Sequence, residues 1–187
     1  YLQIVSDETK RLSRLVRSML DISQLQSEGG IPEEKKIHFD LEECCGQVLI
    51  TFEKKIEDKQ LNVEVDMPEH PVYTFANEDY ITQVIYNLTD NAVKFAAPGS
   101  CIIVRLYKDE GKAYVSIKDY GETIPPEDLP FIFDRFHKSD RSRSLDKDGV
   151  GLGLYLVKSI INSHDEDIAV KSEDGMTEFV FTLPLAE

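Results

Sequence analysis

Two asparagines stand four residues apart at Asn87 and Asn91, and a lysine follows at Lys94. On a helix these three side chains project from nearly one face. Two amide oxygens beside a cation suit a hydrated magnesium ion and polyphosphate oxygens. The same spacing also describes a solvent-facing polar stripe. Farther on, Asp119-Tyr120-Gly121-Glu122-Thr123-Ile124 follows an apolar alternating run. A carboxylate at a strand end can accept a hydrogen bond from an exocyclic amine. Gly121 lets the backbone come close to a flat ring. A plain turn is the alternative. Third, Gly149-Val150-Gly151-Leu152-Gly153-Leu154 places three glycines at alternate positions before a helix, which can aim amide N–H groups at phosphate. It is neither the dinucleotide fingerprint, since Leu154 fills the sixth position, nor a P-loop, since no Gly-Lys-Ser/Thr follows. Phe133 and Phe136, three apart, either anchor a flexible segment by their rings or pack as ordinary core aromatics.

These residues need elements to hold them. Residues 1–28 read as one helix: Val5, Leu12 and Met19 repeat every seven residues, Leu15 and Ile22 form a companion row, and Leu2, Val16 and Leu20 widen the stripe. We read it as a bundle helix seeking partners, because Gly29, Gly30 and Pro32 stop it and open a linker over 29–36. Strands are expected at 37–40, 61–65 and 72–75, with one helix over 41–59 between the first two. A helix over 79–95, capped by Asn77 or Asp79, would carry Asn87, Asn91 and Lys94. Residues 101–107 and 113–118 read as a hairpin turning near Asp109-Glu110-Gly111. The polar stretch 139–149 should be mobile. A helix over 152–163 and strands at 168–172 and 177–183 close the chain. That order fits a two-layer α/β sandwich, with helices on one face of a mixed, mostly antiparallel sheet.

The chain has 187 residues, enough for one compact domain plus an appendage. Its 21 basic and 35 acidic residues leave a net charge of −14. That disfavours nucleic-acid and anionic-membrane surfaces but not ATP, which needs only a local cluster of amides, a cation and a metal ion. No run of about 18 apolar residues occurs. The first residue is Tyr1 rather than Met, so we expect a segment of a longer protein. Cys44, Cys45 and Cys101 show no C-x-x-C spacing and read as reduced, packed thiols.

The order of the motifs is more specific than any one of them. Asn87, Asn91, Lys94 and Phe95 resemble the N box of the histidine-kinase catalytic domain, within the GHKL (HATPase_c) ATPase superfamily. Asp119 and Gly121 resemble the G1 box, Ile132, Phe133 and Phe136 the F box, and Gly149, Gly151 and Gly153 the G2 box. Phe179, Phe181 and Pro184 resemble the closing strand. The resemblance spans about 37–184, and the first 28 residues resemble the second helix of the dimerisation and phosphotransfer hairpin. It implies the Bergerat (GHKL) fold for 37–187, a cytoplasmic kinase domain of a two-component sensor whose full-length parent is a membrane-anchored homodimer, and ATP with Mg2+ as cofactors. It implies magnesium on Asn91 and Asn87, phosphate near Lys94 and Lys138, and the adenine amino group on Asp119. Gly149, Val150, Gly151, Leu152, Gly153 and Leu154 would form the phosphate loop. Phe95, Thr123, Ile124, Phe136 and Thr177 would complete the nucleotide site. Asn91 and Lys94 would be the catalytic pair, and a response-regulator receiver domain the downstream partner.

The sequence also departs from that pattern. Thr123 replaces the second G1 glycine, Val150 stands where Thr is frequent, and Asp165-Glu166-Asp167 replaces a glycine pair after His164. Thr123 would crowd the adenine or restrict the backbone, which leaves a nucleotide-impaired docking module as the alternative. His38, His70, His137 and His164 lack the His-Glu/Asp setting of a phosphoacceptor, so the phosphoryl group would go to a histidine outside this chain.

Overall fold

The computed structural model describes residues 2–138 and 151–186. In chain order its elements are α1 (Leu2–Glu28), a 3-10 turn (Glu33–Lys35), β1 (Ile37–Asp40), α2 (Leu41–Thr51), α3 (Glu53–Asp58), β2 (Asn62–Asp66), β3 (Tyr73–Ala76), α4 (Glu78–Phe95), β4 (Cys101–Asp109), β5 (Lys112–Tyr120), a second 3-10 turn (Leu129–Phe131), α5 (Gly153–Ser163), β6 (Ile168–Glu173) and β7 (Met176–Pro184). Five strands form one sheet in the order β2-β4-β5-β7-β6. Among the described strands only β2 and β4 pair in parallel; the connection between them carries β3 and α4. β1 and β3 form a separate antiparallel pair, tied to the end of β7 by the Thr74 hydroxyl on the Pro184 carbonyl.

Period-two alternation decides which face of the sheet is covered. Ile102, Val104 and Leu106 on β4, Ala113, Val115 and Ile117 on β5, and Phe179, Phe181 and Leu183 on β7 are all buried. The intervening residues include Arg105, Lys118 and Glu178 and lie on the open face. α4 lays Ile81, Val84, Ile85, Leu88 and Ala92 over the apolar face, and α5 adds Leu156, Val157, Ile160 and Ile161. Each buried Val, Leu, Ile or Phe side chain among them contributes about 1.5–3 kcal/mol. The result is the two-layer sandwich expected from the sequence.

α4 begins where its sequence directs. The Asn77 side chain accepts the Tyr80 N–H at 3.0 Å, an N-cap that leaves the helix free to run to Phe95. At the other end Lys59 donates to the Val93 and Lys94 carbonyls at 2.7 and 2.6 Å, placing a cation on the negative pole of the helix.

The helix expected over 41–59 is two helices. At Phe52 the N–H bonds the Leu49 carbonyl, three residues back, at 3.0 Å, and the chain turns there. The turn seats the Phe52 ring, 1% exposed, in the core against Tyr86 at 4.8 Å between centroids. The heptad stripe of α1 divides as well. Ile22 and Leu25 are buried against the domain, whereas Leu12, Val16, Met19 and Leu20 remain exposed. Gly29 (φ 65°) and Gly30 (φ 134°) end α1 as their types require. The linker after them is docked rather than loose: Ile31 is buried, and its N–H bonds the Ser163 carbonyl at 3.0 Å.

Candidate functional site

At one end of the covered face the apolar rows of the sheet give way to a polar row. Ile117, Phe179 and Val170 are neighbours across β5, β7 and β6. Two residues further along, the same face carries Asp119, Thr177 and Ser172 in register. Asp119 is 5% exposed and Thr177 6%. Burying a carboxylate and a hydroxyl is costly unless hydrogen bonds are provided, so this polar row on an otherwise apolar face is a candidate site. The Ser172 and Thr177 hydroxyls lie 2.7 Å apart, and the Ile124 N–H donates to the Ser172 hydroxyl at 2.8 Å. Asp119 and Thr177 are among the residues expected at the nucleotide site; Ser172 is not. Its signal was present: alternation from Ile168 and Val170 puts position 172 on the core face, where a serine is out of place.

Gly121 joins this row to α4. A Cβ there would stand 2.2 Å from the Phe95 carbonyl oxygen and 3.3 Å from the Ala97 nitrogen. Only glycine allows the strand end to meet the helix end this closely. The contact is sealed by Ala97 N–H to the Tyr120 carbonyl at 2.8 Å and by Gly121 N–H to the Gly175 carbonyl at 2.9 Å. Thr123 has a negative φ and a defined partner: its hydroxyl accepts the Gly175 N–H at 2.9 Å. The turn between β6 and β7 thereby holds the segment that follows Asp119.

The face of α4 that bears Asn87 and Asn91 looks toward the start of α5. A Cβ at Gly153 would lie 3.7 Å from the Asn87 side-chain oxygen. Asn91 stands one turn on and is half-buried. The Lys94 ammonium sits 2.7 Å from Asp90, one turn back, and Lys55 approaches the other Asp90 oxygen at 3.2 Å. At the N-cap of α5, Leu152 offers no side-chain acceptor to the first-turn amides. Leu152 itself is buried in the core, and Leu154 is partly buried against the same core.

The F-box residues meet the glycines at Gly151. The Phe136 N–H bonds the Gly151 carbonyl at 2.9 Å, and Gly151, at φ +75°, has the His137 carbonyl 3.0 Å from where its Cβ would be. The two phenylalanines behave differently. Phe133 packs edge-on against Phe179 with centroids 6.1 Å apart, whereas Phe136 is 55% exposed. Lys138, half-buried, follows His137. Gly149, Val150 and the stretch 139–149 expected to be mobile lie outside the described residues, except that the stretch's neighbours on either side are those just given. The structure thus groups Asp119, Gly121, Thr123, Ile124 and Thr177 at the sheet end, links them through Phe95 to α4, and sets Asn87 against Gly153.

Several titratable groups away from this row have packing roles. His164 is buried: Nδ1 donates to the Ile160 carbonyl at 2.8 Å and Nε2 accepts the Asn77 N–H at 3.1 Å. Burial pushes its pKa below the ordinary value, in keeping with a neutral ring whose two nitrogens are both engaged. Asp165 takes φ 59° and serves as the left-handed residue ending α5. Burial raises the thiols of Cys44 and Cys45, which pack as small hydrophobes. Among the described residues no three His, Cys, Asp or Glu side chains converge on a metal position. None of the described helices is long and apolar enough to cross a membrane.

Comparison with known proteins agrees with this fold. Residues 76–187 match the family model described as histidine kinase-, DNA gyrase B-, and HSP90-like ATPase. Over all 187 residues the chain is 37% identical to the sensor protein SrrB of Staphylococcus aureus (strain MRSA252), spanning 32% of that protein's length. The mycobacterial sensor histidine kinase MprB superimposes with a TM-score of 0.70 at 28% identity, covering 80% of this chain and 97% of that one. The histidine kinase ThkA, solved in complex with the response regulator TrrA, shares the fold with a TM-score of 0.77 at 24% identity, covering 100% of this chain and 51% of that one. The chain therefore belongs to the histidine kinase-, DNA gyrase B- and HSP90-like ATPase family.

Proposed function

We propose that this domain binds ATP with magnesium and delivers the γ-phosphoryl group to a histidine on a helical hairpin outside the chain. One observation carries the reading: a buried carboxylate, Asp119, ends an apolar sheet face, and Gly121 locks it to the helix whose Asn87 reaches the start of α5. Asp119 and Thr177 offer an acceptor and a hydroxyl to the adenine edge. The first-turn amides of α5, uncapped by Leu152, suit phosphate oxygens. The side-chain oxygens of Asn87 and Asn91 are hard donors of the kind magnesium prefers when it keeps several waters and shares phosphate oxygens. Magnesium, when bound, neutralises and orients the phosphates. Lys94, now paired with Asp90, is near enough along α4 to exchange that partner for phosphate. Phosphoryl transfer needs chiefly positioning and charge neutralisation, which this set supplies.

In this reading residues 1–28 belong to the dimerisation and phosphotransfer hairpin, 29–36 form the linker and 37–187 the catalytic domain. The exposed Leu12, Val16, Met19 and Leu20 are the seam for the rest of a homodimeric bundle. A response-regulator receiver domain takes the phosphoryl group next, and the domain works in the cytoplasm beneath a membrane-anchored sensor. Calorimetry of ATP and ADP with and without magnesium tests the proposal. Binding that depends on magnesium and is lost in Asn91→Ala and Asp119→Ala supports it; no binding at millimolar nucleotide refutes it.

A further inference from the structure

The segment after Asp119 is fastened to the β6–β7 hairpin at three points. The Gly121 N–H donates to the Gly175 carbonyl, the Gly175 N–H donates to the Thr123 hydroxyl, both at 2.9 Å, and the Ile124 N–H donates to the Ser172 hydroxyl at 2.8 Å. Asp174 (φ 50°) and Gly175 (φ 75°) form a two-residue hairpin turn. In such a turn the second residue's N–H has no partner in its own ladder, so the Thr123 hydroxyl fills a vacancy that a glycine at 123 would leave to water. Thr123 also has a negative φ, so nothing in the backbone there calls for glycine.

We propose that Thr123 is a positioning residue for purine recognition: its hydroxyl clips the 121–124 segment to the β6–β7 turn, so that Asp119 and Thr177 present a preformed edge that selects adenine over guanine nucleotides. This rests on the nucleotide reading above and deepens it. Asp119 and Thr177 are cross-strand neighbours on β5 and β7, and Thr177 is steadied by Ser172, which in turn receives the Ile124 N–H. The clip therefore joins both ends of the recognition row. Thr123 strengthens the site instead of crowding it, and a glycine at that position weakens binding.

The test uses Thr123→Val, which keeps the shape and removes the acceptor, with Thr123→Ser and Thr123→Gly beside it. Three readouts are taken on the full chain: amide hydrogen exchange at Gly175 without nucleotide, calorimetric affinity for Mg·ADP, and the preference for Mg·ADP over Mg·GDP. One lost hydrogen bond corresponds to about a two- to tenfold effect. Thr123→Val should speed Gly175 exchange, weaken ADP by that factor and narrow the ADP preference, Thr123→Gly should shift each the same way, and Thr123→Ser should restore all three. Unchanged exchange in Thr123→Val removes the clip. Faster exchange with unchanged ADP affinity and preference makes the clip merely structural and overturns the proposal, as does tighter ADP binding in Thr123→Gly. A wild-type chain that binds no ADP removes the nucleotide reading and this proposal together; a binding wild type with an indifferent Thr123→Val removes this proposal alone.

Discussion

Replacing Gly121 by alanine adds one methyl group at the tightest backbone contact in the site. Its carbon would be 2.2 Å from the Phe95 carbonyl oxygen, and that oxygen is main chain, so no rotamer can relieve the clash. Ordinary contact lies near about 3.5 Å. The β5 end and the α4 end must therefore separate by about 1 Å, stretching the Ala97–Tyr120 hydrogen bond that closes the junction. Overpacking of this kind costs about 1–3 kcal/mol. For a chain of this size each kcal/mol lowers Tm by roughly 2–4 °C. The larger effect should be functional. Asp119 is two residues away and Asn91 one turn from Phe95, so the carboxylate and the amide would no longer hold their spacing. A misplacement of about 1 Å can cost on the order of 100-fold in a positioned reaction. The assay pairs urea unfolding with phosphoryl transfer from labelled ATP to a supplied histidine hairpin. Gly46→Ala is the control, because its added Cβ meets nothing within 4 Å and it lies inside α2. That variant should gain about 0.5–1 kcal/mol. A Gly121→Ala protein as stable and active as wild type would refute the argument that this contact sets the site.

Asp119→Asn keeps the size of the side chain but removes the charge, and should weaken ADP by about 1.5–3 kcal/mol, read by calorimetry, with a near-native urea midpoint. His164 gives a pH signature. Its folded pKa lies below the ordinary histidine value, so the unfolded chain binds the proton first as pH falls. Its stabilising contribution is complete above about pH 6.5 and declines below that as pH drops toward the folded value. Urea midpoints between pH 5 and 8 should fall on the acid side, and His164→Gln should flatten that limb; an unchanged limb assigns the effect elsewhere. Asp165→Gly should raise stability by roughly 0.5–1 kcal/mol, since φ 59° suits glycine better than aspartate. Lys59→Met should cost about 1 kcal/mol by leaving the Val93 and Lys94 carbonyls without their cation, measured by thermal unfolding.

Local signals carried most of the fold. The Asn77 cap and the spacing of Ile81, Val84, Ile85 and Leu88 marked α4, and Glu110-Gly111 marked the β4–β5 turn, where both residues have positive φ. The break at Phe52 was hidden because its cause is tertiary: apolar spacing continues across it, and only the seat of the ring against Tyr86 requires the turn. The same division holds in the site. Asn87, Asn91, Asp119 and Gly121 announced themselves by type and spacing. Ser172 showed only as a polar residue on an apolar strand face, and its bond to Ile124 and the Thr123–Gly175 bond did not show, because both arise where β6 and β7 fold back beside a loop about fifty residues earlier. A threonine in a loop carries no chemistry until that pairing is known. Thr123, which read as an obstacle in sequence, has a structural use that only the distant turn reveals.

The most direct test of the account is a heteronuclear NMR titration of the chain with Mg·ADP, following every assigned amide. The account predicts that Asp119, Gly121 and Thr177 on the sheet, Asn87 and Asn91 on α4, and Gly153 at the start of α5 shift together with one binding curve. Shifts confined to another surface, such as the shallow cleft between Asp66 and Lys108, or to only one of those three elements, would contradict it.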